Sequence, residues 1–386
     1  MTIKATTENV TSLVATKLTG AFPVLDASAL TGISVGPQSG ASDPTVSTNP
    51  SGVGIVYKNT TSGETFICTS ATAGANVWIN VGSGSGNIRL FLAAGSIAGF
   101  MAGFRGIEKF SFSSATVDAS NHGDLSSGTT PRNRCTGSSS RTHGYTAGGE
   151  TNNTSDSNVI DRFAFASNTN ATDVGDMTNA RRNGQGVGSA THGYCLGGRA
   201  GSSEANSLGI DKYSYSADGN STGIGDMSSN NSHFSGSSSY THGFAAGGYS
   251  NVTTIRRMSF SVDAGSSDVD NLSQGKWTAG GHSTPTHGYY SGGLTSAPTG
   301  AGSGITQIDK YSHDNGGTST DHGDLQTKMI YSAGNSSTTH GYTAGGISFS
   351  TDSIIRFSFA DGTSSNDVGN LSAANEYHLM ANNQQH

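Results

Sequence analysis

Three features of this 386-residue sequence predict an all-β fold whose main body is a six-bladed β-propeller. A unit of 45 to 53 residues recurs. Each unit holds strand-like runs whose two faces differ, and residues that favour helices are scarce. Before this body lies a small β-rich or extended N-terminal region. The expected division is 1–87 and 88–386.

The repeat is read from five copies of Thr-His-Gly-aromatic, beginning at Thr142, Thr191, Thr241, Thr286 and Thr339. Each runs into a glycine pair: Gly148-Gly149, Gly197-Gly198, Gly247-Gly248, Gly292-Gly293 and Gly345-Gly346. A polar loop follows, then a strand whose side chains alternate in character, as in Ile160-Asp-Arg-Phe-Ala-Phe165 and Ile210-Asp-Lys-Tyr-Ser-Tyr215. Next comes Val174-Gly-Asp-Met177 or a variant of it, expected as a turn because Gly and Asp suit one. The unit closes on tiny residues such as Gly184-Gln-Gly-Val-Gly-Ser-Ala190, so backbones are expected to crowd there. Four strands, one of them crowded, match a propeller blade whose first strand lies along the central axis.

The Ile/Phe strand occurs six times, the earliest copy being Ile107-Glu-Lys-Phe-Ser-Phe112. Its missing partner is expected at Leu90-Phe-Leu-Ala-Ala-Gly95. The last unit ends on Glu376-Tyr-His-Leu-Met-Ala-Asn382, with nothing after it to pair. The two incomplete ends complement each other, so the C-terminal strand is expected to complete the first blade and leave no free sheet edge.

Composition sets limits. With 56 Gly, 12% charged and 32% hydrophobic residues the chain is lean, yet repeats that share a buried seam can fold on such a composition. The net charge of −7 comes without a Lys/Arg cluster, which argues against a nucleic-acid partner. No apolar run is long enough for a spanning helix, and Met1-Thr-Ile-Lys-Ala-Thr-Thr-Glu8 lacks a signal-peptide core, so neither membrane insertion nor export by such a signal is expected. The sequons at Asn59 and Asn153 are therefore read as chance. Cys68, Cys135 and Cys195 are too few and too far apart for a zinc site or a disulfide framework.

Tyr145-Thr-Ala-Gly-Gly149 and Met177-Thr-Asn-Ala-Arg-Arg-Asn-Gly184 resemble the hydrophobic-Gly-Gly strand end and the Arg-then-Gly lead-in of kelch repeats. The resemblance implies a kelch-like propeller, with Val174 or Ile224 standing where kelch blades carry a fourth-strand Trp. In the N-terminal region, Gly54-Ile-Val-Tyr57, Asn59-Thr-Thr-Ser-Gly63, Thr65-Phe-Ile-Cys68 and Asn76-Val-Trp-Ile-Asn-Val81 read as strand, turn, strand and strand. They resemble small β modules of bacteriophage tail-fibre and related virion proteins. Gly82-Ser-Gly-Ser-Gly86 reads as a flexible linker, and Leu30-Thr-Gly-Ile33 is similar to segments that form trimer stems or dock on a virion. An ordinary small β domain or a disordered leader is the other reading of this region.

Catalytic chemistry is not expected. His143, His192, His242, His287 and His340 occupy equivalent positions, so a ring would hold them apart rather than on one metal, and a bond from the imidazole to backbone groups at a strand turn is the expected role. No asymmetric set of two His and two Tyr, as galactose-oxidase-like copper chemistry requires, stands out from the repeat. Asp218-Gly-Asn-Ser-Thr222 has too few carboxylates for a calcium loop. No cofactor and no metal is expected.

What varies between units is the loop after each glycine pair and a few residues leading into the inner strands. Arg182, Arg199, His233, Tyr249 and Trp277 are the candidate ligand-binding residues, because a rigid scaffold with varied loops suits recognition and Trp with Arg suits sugars. The resemblances imply a structural protein of a phage virion, a tail or head fibre that attaches through its N-terminal region and presents the propeller to a host-surface glycan. A homotrimer follows by analogy with fibres. The alternatives are a decoration or spacer without a receptor, and a galactose-oxidase-like or glycan-processing enzyme.

Overall fold

The computed structural model describes residues 38–61, 64–82, 98–103, 106–112, 117–127, 130–152, 154–201, 205–295, 304–314, 316–346, 352–362, 365–372 and 380–383. The chain divides into two compact units, Met1–Phe91 and Leu92–His386. All regular structure among the described residues is β. Leu30–Ile33, Leu90–Gly95, most of the Gly/Ser stretch after Gly82, and Asn153 lie outside the described residues.

The N-terminal unit holds one sheet of β1 (Gln38–Gly40), β2 (Val56–Asn59), β3 (Thr65–Ser70) and β4 (Val77–Gly82), in that order. β1 runs parallel to β2, and the other pairs are antiparallel. Its small core is aromatic: Tyr57 meets Phe66 and Trp78 edge-on, with centroids 6.5 and 5.7 Å apart. At the expected turn, Thr61 N donates to Asn59 Oδ1 at 2.8 Å.

The second unit opens with β5 (Ala98–Gly103), β6 (Gly106–Ser111) and β7 (Ser120–Asp124). Next come β8 (Arg132–Asn133), β9 (Thr136–Ser139), β10 (His143–Ala147), the short β11 (Glu150–Thr151) and β12 (Ser155–Asp156), β13 (Val159–Ala164) and β14 (Thr172–Asp176). β15 (Gln185–Gly188), β16 (His192–Leu196), β17 (Arg199–Ala200), β18 (Ala205–Asn206), β19 (Gly209–Ser214) and β20 (Thr222–Asp226) repeat the pattern. So do β21 (Ser235–Ser238), β22 (His242–Ala246), β23 (Thr254–Ser259) and β24 (Ser267–Asn271). β25 (Gly280–Ser283), β26 (His287–Ser291), β27 (Gln307–Ser312) and β28 (Thr320–Asp324) precede β29 (Ala333–Ser336), β30 (His340–Ala344), β31 (Ser353–Ser358) and β32 (Asn366–Asn370). The last strand, β33 (Met380–Asn383), pairs antiparallel with β5, Met380 opposite Ala102.

These strands form six four-stranded antiparallel sheets among the described residues: β33-β5-β6-β7, β9-β10-β13-β14, β15-β16-β19-β20, β21-β22-β23-β24, β25-β26-β27-β28 and β29-β30-β31-β32. The first-named strand of each sheet lies against its counterparts in the sheets on either side, β9 against β15 and β33 against both β29 and β9. Here the tiny residues are needed. A Cβ on Gly186, Gly281 or Gly334 would collide with the backbone carbonyl of Gly137, Gly236 or Gly281 on the adjacent inner strand.

Buried apolar side chains fall into clusters, six of which each join two neighbouring sheets. One contains Tyr145, Ile160 and Met177 with Cys195 and Tyr213 of the following sheet. Another joins Met101, Phe110 and Val117 of the first sheet to Tyr342, Ile354 and Leu371 of the last. The repeat consonants thus have a physical reading: the aromatic after Thr-His-Gly and the Ile of the third strand face one neighbour, while the third-strand aromatic faces the other. That aromatic also covers the glycine opposite it, as Phe163 covers Gly144 and Tyr213 covers Gly193.

One kind of polar pair recurs in three of the sheets within this apolar frame. Arg132 meets Asp161 at 2.5 Å, Arg181 meets Asp211 at 2.5 Å and Lys276 meets Asp309 at 2.7 Å, every side chain at most 1% exposed. The positions are equivalent: the base stands four residues before the inner strand, and the acid follows the Ile of the third strand. Burial pushes the Lys276 ammonium below its usual range, against the pull of Asp309. In the sheet starting at β29 both partners are apolar, Met329 and Ile355, and they share one core cluster.

Three sequence expectations are corrected. The partner of the Ile107 strand is β5, not Leu90–Gly95. Ala98-Gly-Phe-Met-Ala-Gly103 repeats the Gly-aromatic-x-Ala-Gly pattern without the Thr-His preamble, and only Arg105 and its neighbour 104 separate the two strands. Val174-Gly-Asp176 and its equivalents are not turns; they end the fourth strand, whose partner carries a register shift beside its Ile, as between Ile160 and Asp161. The repeated imidazoles bond to a side chain, each Nδ1 sitting 2.8 to 2.9 Å from the preceding Thr Oγ1. The backbone is held instead by the hydroxyl three residues back, as Ser140 Oγ accepts from His143 N at 3.0 Å.

Candidate functional site

Two residues before each of five inner strands stand Arg134, Asn183, His233, Thr278 and Tyr331, all in the left-handed region with φ of 58°, 55°, 60°, 58° and 56°. That conformation is costly for residues other than glycine, most of all for the β-branched Thr278, and persists only where the surroundings enforce it. The enforcing contacts run from sheet to sheet: Asn183 N donates to Arg134 O at 2.9 Å, His233 N to Asn183 O at 2.9 Å, Thr278 N to His233 O at 3.2 Å and Tyr331 N to Thr278 O at 3.0 Å. A ladder of backbone bonds therefore gathers five non-repeating side chains at one end of the inner strands.

The loops after the glycine pairs return to the same end. Gly149 N donates to Arg181 O and Gly248 N to Lys276 O, at 2.9 and 3.0 Å, which ties each pair to the lead-in of the next inner strand. Both glycines of a pair have positive φ, 65° and 102° at Gly148 and Gly149, and a Cβ on either would meet a backbone oxygen, Arg181 O or Asn133 O, at 2.6 Å, so the turn has no room for a side chain. Arg182 and Arg199 then exchange backbone bonds at 2.9 and 2.7 Å, as Trp277 and Leu294 do at 3.0 and 2.9 Å.

All five sequence candidates converge. Tyr249 lies edge-on to Trp277 with centroids 4.9 Å apart, and His233 stands 5.4 Å from Trp277 and 5.9 Å from Tyr249. The Arg199 guanidinium sits 5.7 Å from the Tyr249 centroid. Arg182 pairs through Nη1 with Asp156 and reaches Glu150 at 3.7 Å, while Arg134 Nη1 meets the other oxygen of Glu150 at 2.7 Å.

Exposure separates their roles. Trp277 is 2% exposed and cannot offer a face to a sugar; it braces the ring above it. Tyr249, at 44%, presents the open aromatic surface, and half-buried Arg199 lies beside it. The expectation of stacking on Trp277 is therefore transferred to Tyr249, because the Tyr331 ring, 5.9 Å from Trp277, closes the site around the indole.

Sequence reading missed Tyr331 and Arg134; Glu150 and Asp156 lie in the variable loop 150–158 after the first glycine pair, without having been singled out. A signal was present: the position two before the inner strand reads Arg, Asn, His, Thr and Tyr while its surroundings repeat.

Two cavities adjoin the cluster. One of about 90 Å³ runs among the glycines and serines of the inner strands below His233 and Tyr331; it is far smaller than the roughly 300 Å³ of an ordinary ligand pocket and suits waters. The other, about 420 Å³, is a groove lined by Glu150, Thr154, Asp156 and Arg182. Among the described residues, no three His, Cys, Asp or Glu side chains are grouped to hold a metal ion. Asp218, in the loop compared with calcium sites, is paired with Arg162.

Burial, and after it the charges of Arg199, Arg134 and Arg182, lower the His233 pKa from 6.5 to about 3. Burial likewise lowers His282, whose Nδ1 lies 2.9 Å from Asn335 O, to about 4. Above pH 6.5 both imidazoles are neutral whether the chain is folded or not. Below it the unfolded chain takes up protons that the folded chain refuses, so stability falls with pH until the folded values are reached. Melting temperature is expected to drop steadily from pH 6.5 to 4. The His233→Asn variant, which copies Asn183 and keeps a residue tolerant of positive φ, should show a shallower drop in the same scan.

No protein-family model matches the chain, and no curated protein matches it in sequence.

Proposed function

We propose that the six sheets are the blades of a kelch-like β-propeller closed by β33, and that the protein is a virion component of a bacteriophage, a tail or head fibre that binds a host-surface glycan. The observation that carries the binding role is the gathering of the non-repeating residues Arg199, Tyr249, His233 and Trp277 at one end of an otherwise repetitive scaffold. Repeated architecture with one irregular, polar and aromatic end is what a recognition surface on a rigid frame requires.

Attachment to other virion proteins falls to the N-terminal unit in this reading. Val77 and Ile79, 49% and 45% exposed, point the same way from the edge strand β4, which supports a contact with a neighbouring chain, such as the second and third copies in a homotrimer. The localisation that follows is the phage particle, with no role for a cofactor or for catalysis.

The full chain is expected to bind a subset of host cells saturably and to select particular members of a glycan array. Tyr249→Ala should weaken that binding about tenfold or more while leaving the melting temperature unchanged. A spacer without a receptor is the second reading, favoured by the deep burial of Trp277, His233 and Arg182, which suits a structural brace. Absence of binding to every host envelope and glycan tried would favour it.

A further inference from the structure

We infer that Lys276 and Asp309 condense in the folded chain to an intramolecular amide, a covalent cross-link between the lead-in to β25 and the third strand of the same sheet, β27. The bond is independent of whatever the protein binds.

Position is the first ground. Lys276 Nζ meets Asp309 Oδ2 at 2.7 Å, with the two side chains 1% and 0% exposed. Nζ also donates to the carbonyls of Tyr290 and Gln307, at 3.3 and 3.1 Å, which hold it in place. An amine kept against a carboxyl group in a dry site reacts within one molecule, without the entropy loss of an encounter between two. In two other sheets the same place is taken by Arg132 and Arg181, whose guanidinium groups stay charged and offer no lone pair for acylation. Lysine keeps the charge of the pair and adds a nucleophile.

Activation is the second ground. An ammonium and a carboxylate removed from water are costly as ions, so the pair gains by exchanging a proton to become amine and carboxylic acid. The burial that lowers the Lys276 pKa acts in the same direction. The two oxygens of Asp309 are prepared for different fates. Oδ1 accepts from Ser273 Oγ at 2.5 Å and from Ser319 Oγ at 2.7 Å. Oδ2 is buried and, among the described residues, takes no hydrogen bond.

One ammonium proton passes to Oδ2, giving amine and acid. The Nζ lone pair then adds to Cγ, and the negative charge settles on Oδ1, where the two serine hydroxyls stabilise it. A second Nζ proton moves to Oδ2, the Cγ–Oδ2 bond breaks, and water leaves. What remains is the Nζ–Cγ amide with one N–H, formed without oxidant or other reagent. The cross-link closes a loop of chain that contains β25 and β26, which restricts the unfolded chain as a disulfide would.

Full-length protein is denatured and its mass measured, intact and as tryptic peptides, beside Lys276→Arg, which copies Arg132 and Arg181 and keeps the ion pair. The parent is expected to be lighter than its sequence by one water, about 18 Da, and to give a branched peptide joining the Lys276 and Asp309 segments. Lys276→Arg is expected at its full sequence mass, folded by circular dichroism and melting about 5 °C or more below the parent. A parent at full mass, with no branched peptide, overturns the inference. So does a loss of water that persists in Lys276→Arg, since that places the dehydration elsewhere, such as a succinimide at Asp218-Gly219. Should the variant fail to fold, the branched peptide of the parent decides by its presence or absence.

Discussion

Asp211→Ala is expected to cost about 3–5 kcal/mol of stability, because it leaves the Arg181 guanidinium charged, 1% exposed and without its carboxylate. Arg181→Ala should cost a similar amount, since Asp211 would keep only Thr178 N at 3.2 Å and Ser221 Oγ at 2.7 Å as donors. The informative variant is the double replacement Arg181→Met with Asp211→Ile. It copies the Met329 and Ile355 pair of the sheet starting at β29, where the same two positions are filled by apolar packing. Losing both charges together avoids stranding either one, so the double variant should regain most of the lost stability. Urea unfolding of the three variants checks this. A double variant as unstable as the sum of the singles would mean that the two sites are packed differently and that the repeat equivalence does not extend to their interiors.

Deleting the residues after Tyr377 is expected to lower the melting temperature by about 10 °C or more, or to abolish folding. The deletion removes β33, and with it the pairing of Met380 through Asn383 with Ala102 through Gly99. It also removes the neighbour that lies against β9 and β29. β5 would then be an exposed edge beside the apolar cluster of Met101, Phe110 and Tyr342, a surface prone to aggregation. Thermal melting and size-exclusion chromatography read the outcome. A truncated chain that melts and elutes like the parent would show that β33 contributes little, and would sink the closed-ring reading.

Much of the fold was legible because the repeat ties chemistry to place. The Thr-His-Gly-aromatic strand, the Ile/aromatic strand and the tiny-residue strand were recognisable one by one, since each packing role recurs with the same residue types. Where a copy lost part of its signature, as at Ala98–Gly103 without its Thr-His, the register went astray. The bulge beside Ile160 was invisible for another reason: a period-two pattern cannot tell a turn from a strand that slips by one residue.

The candidate site was legible only as a set of departures from the repeat. Sequence alone determined that strands of fixed chemistry recur, that their inner members must be small, and that Arg182, Arg199, His233, Tyr249 and Trp277 do not belong to the pattern. Only the tertiary structure decided which of these face solvent and which hold the others in place. Exposure depends on how neighbouring sheets close over a side chain, so Trp277 is sealed beneath Tyr249 and Tyr331 while Tyr249 stays open. The pairing of Arg181 with Asp211 across 30 residues of chain was likewise set by the meeting of a lead-in segment with a third strand, a contact that no local propensity encodes.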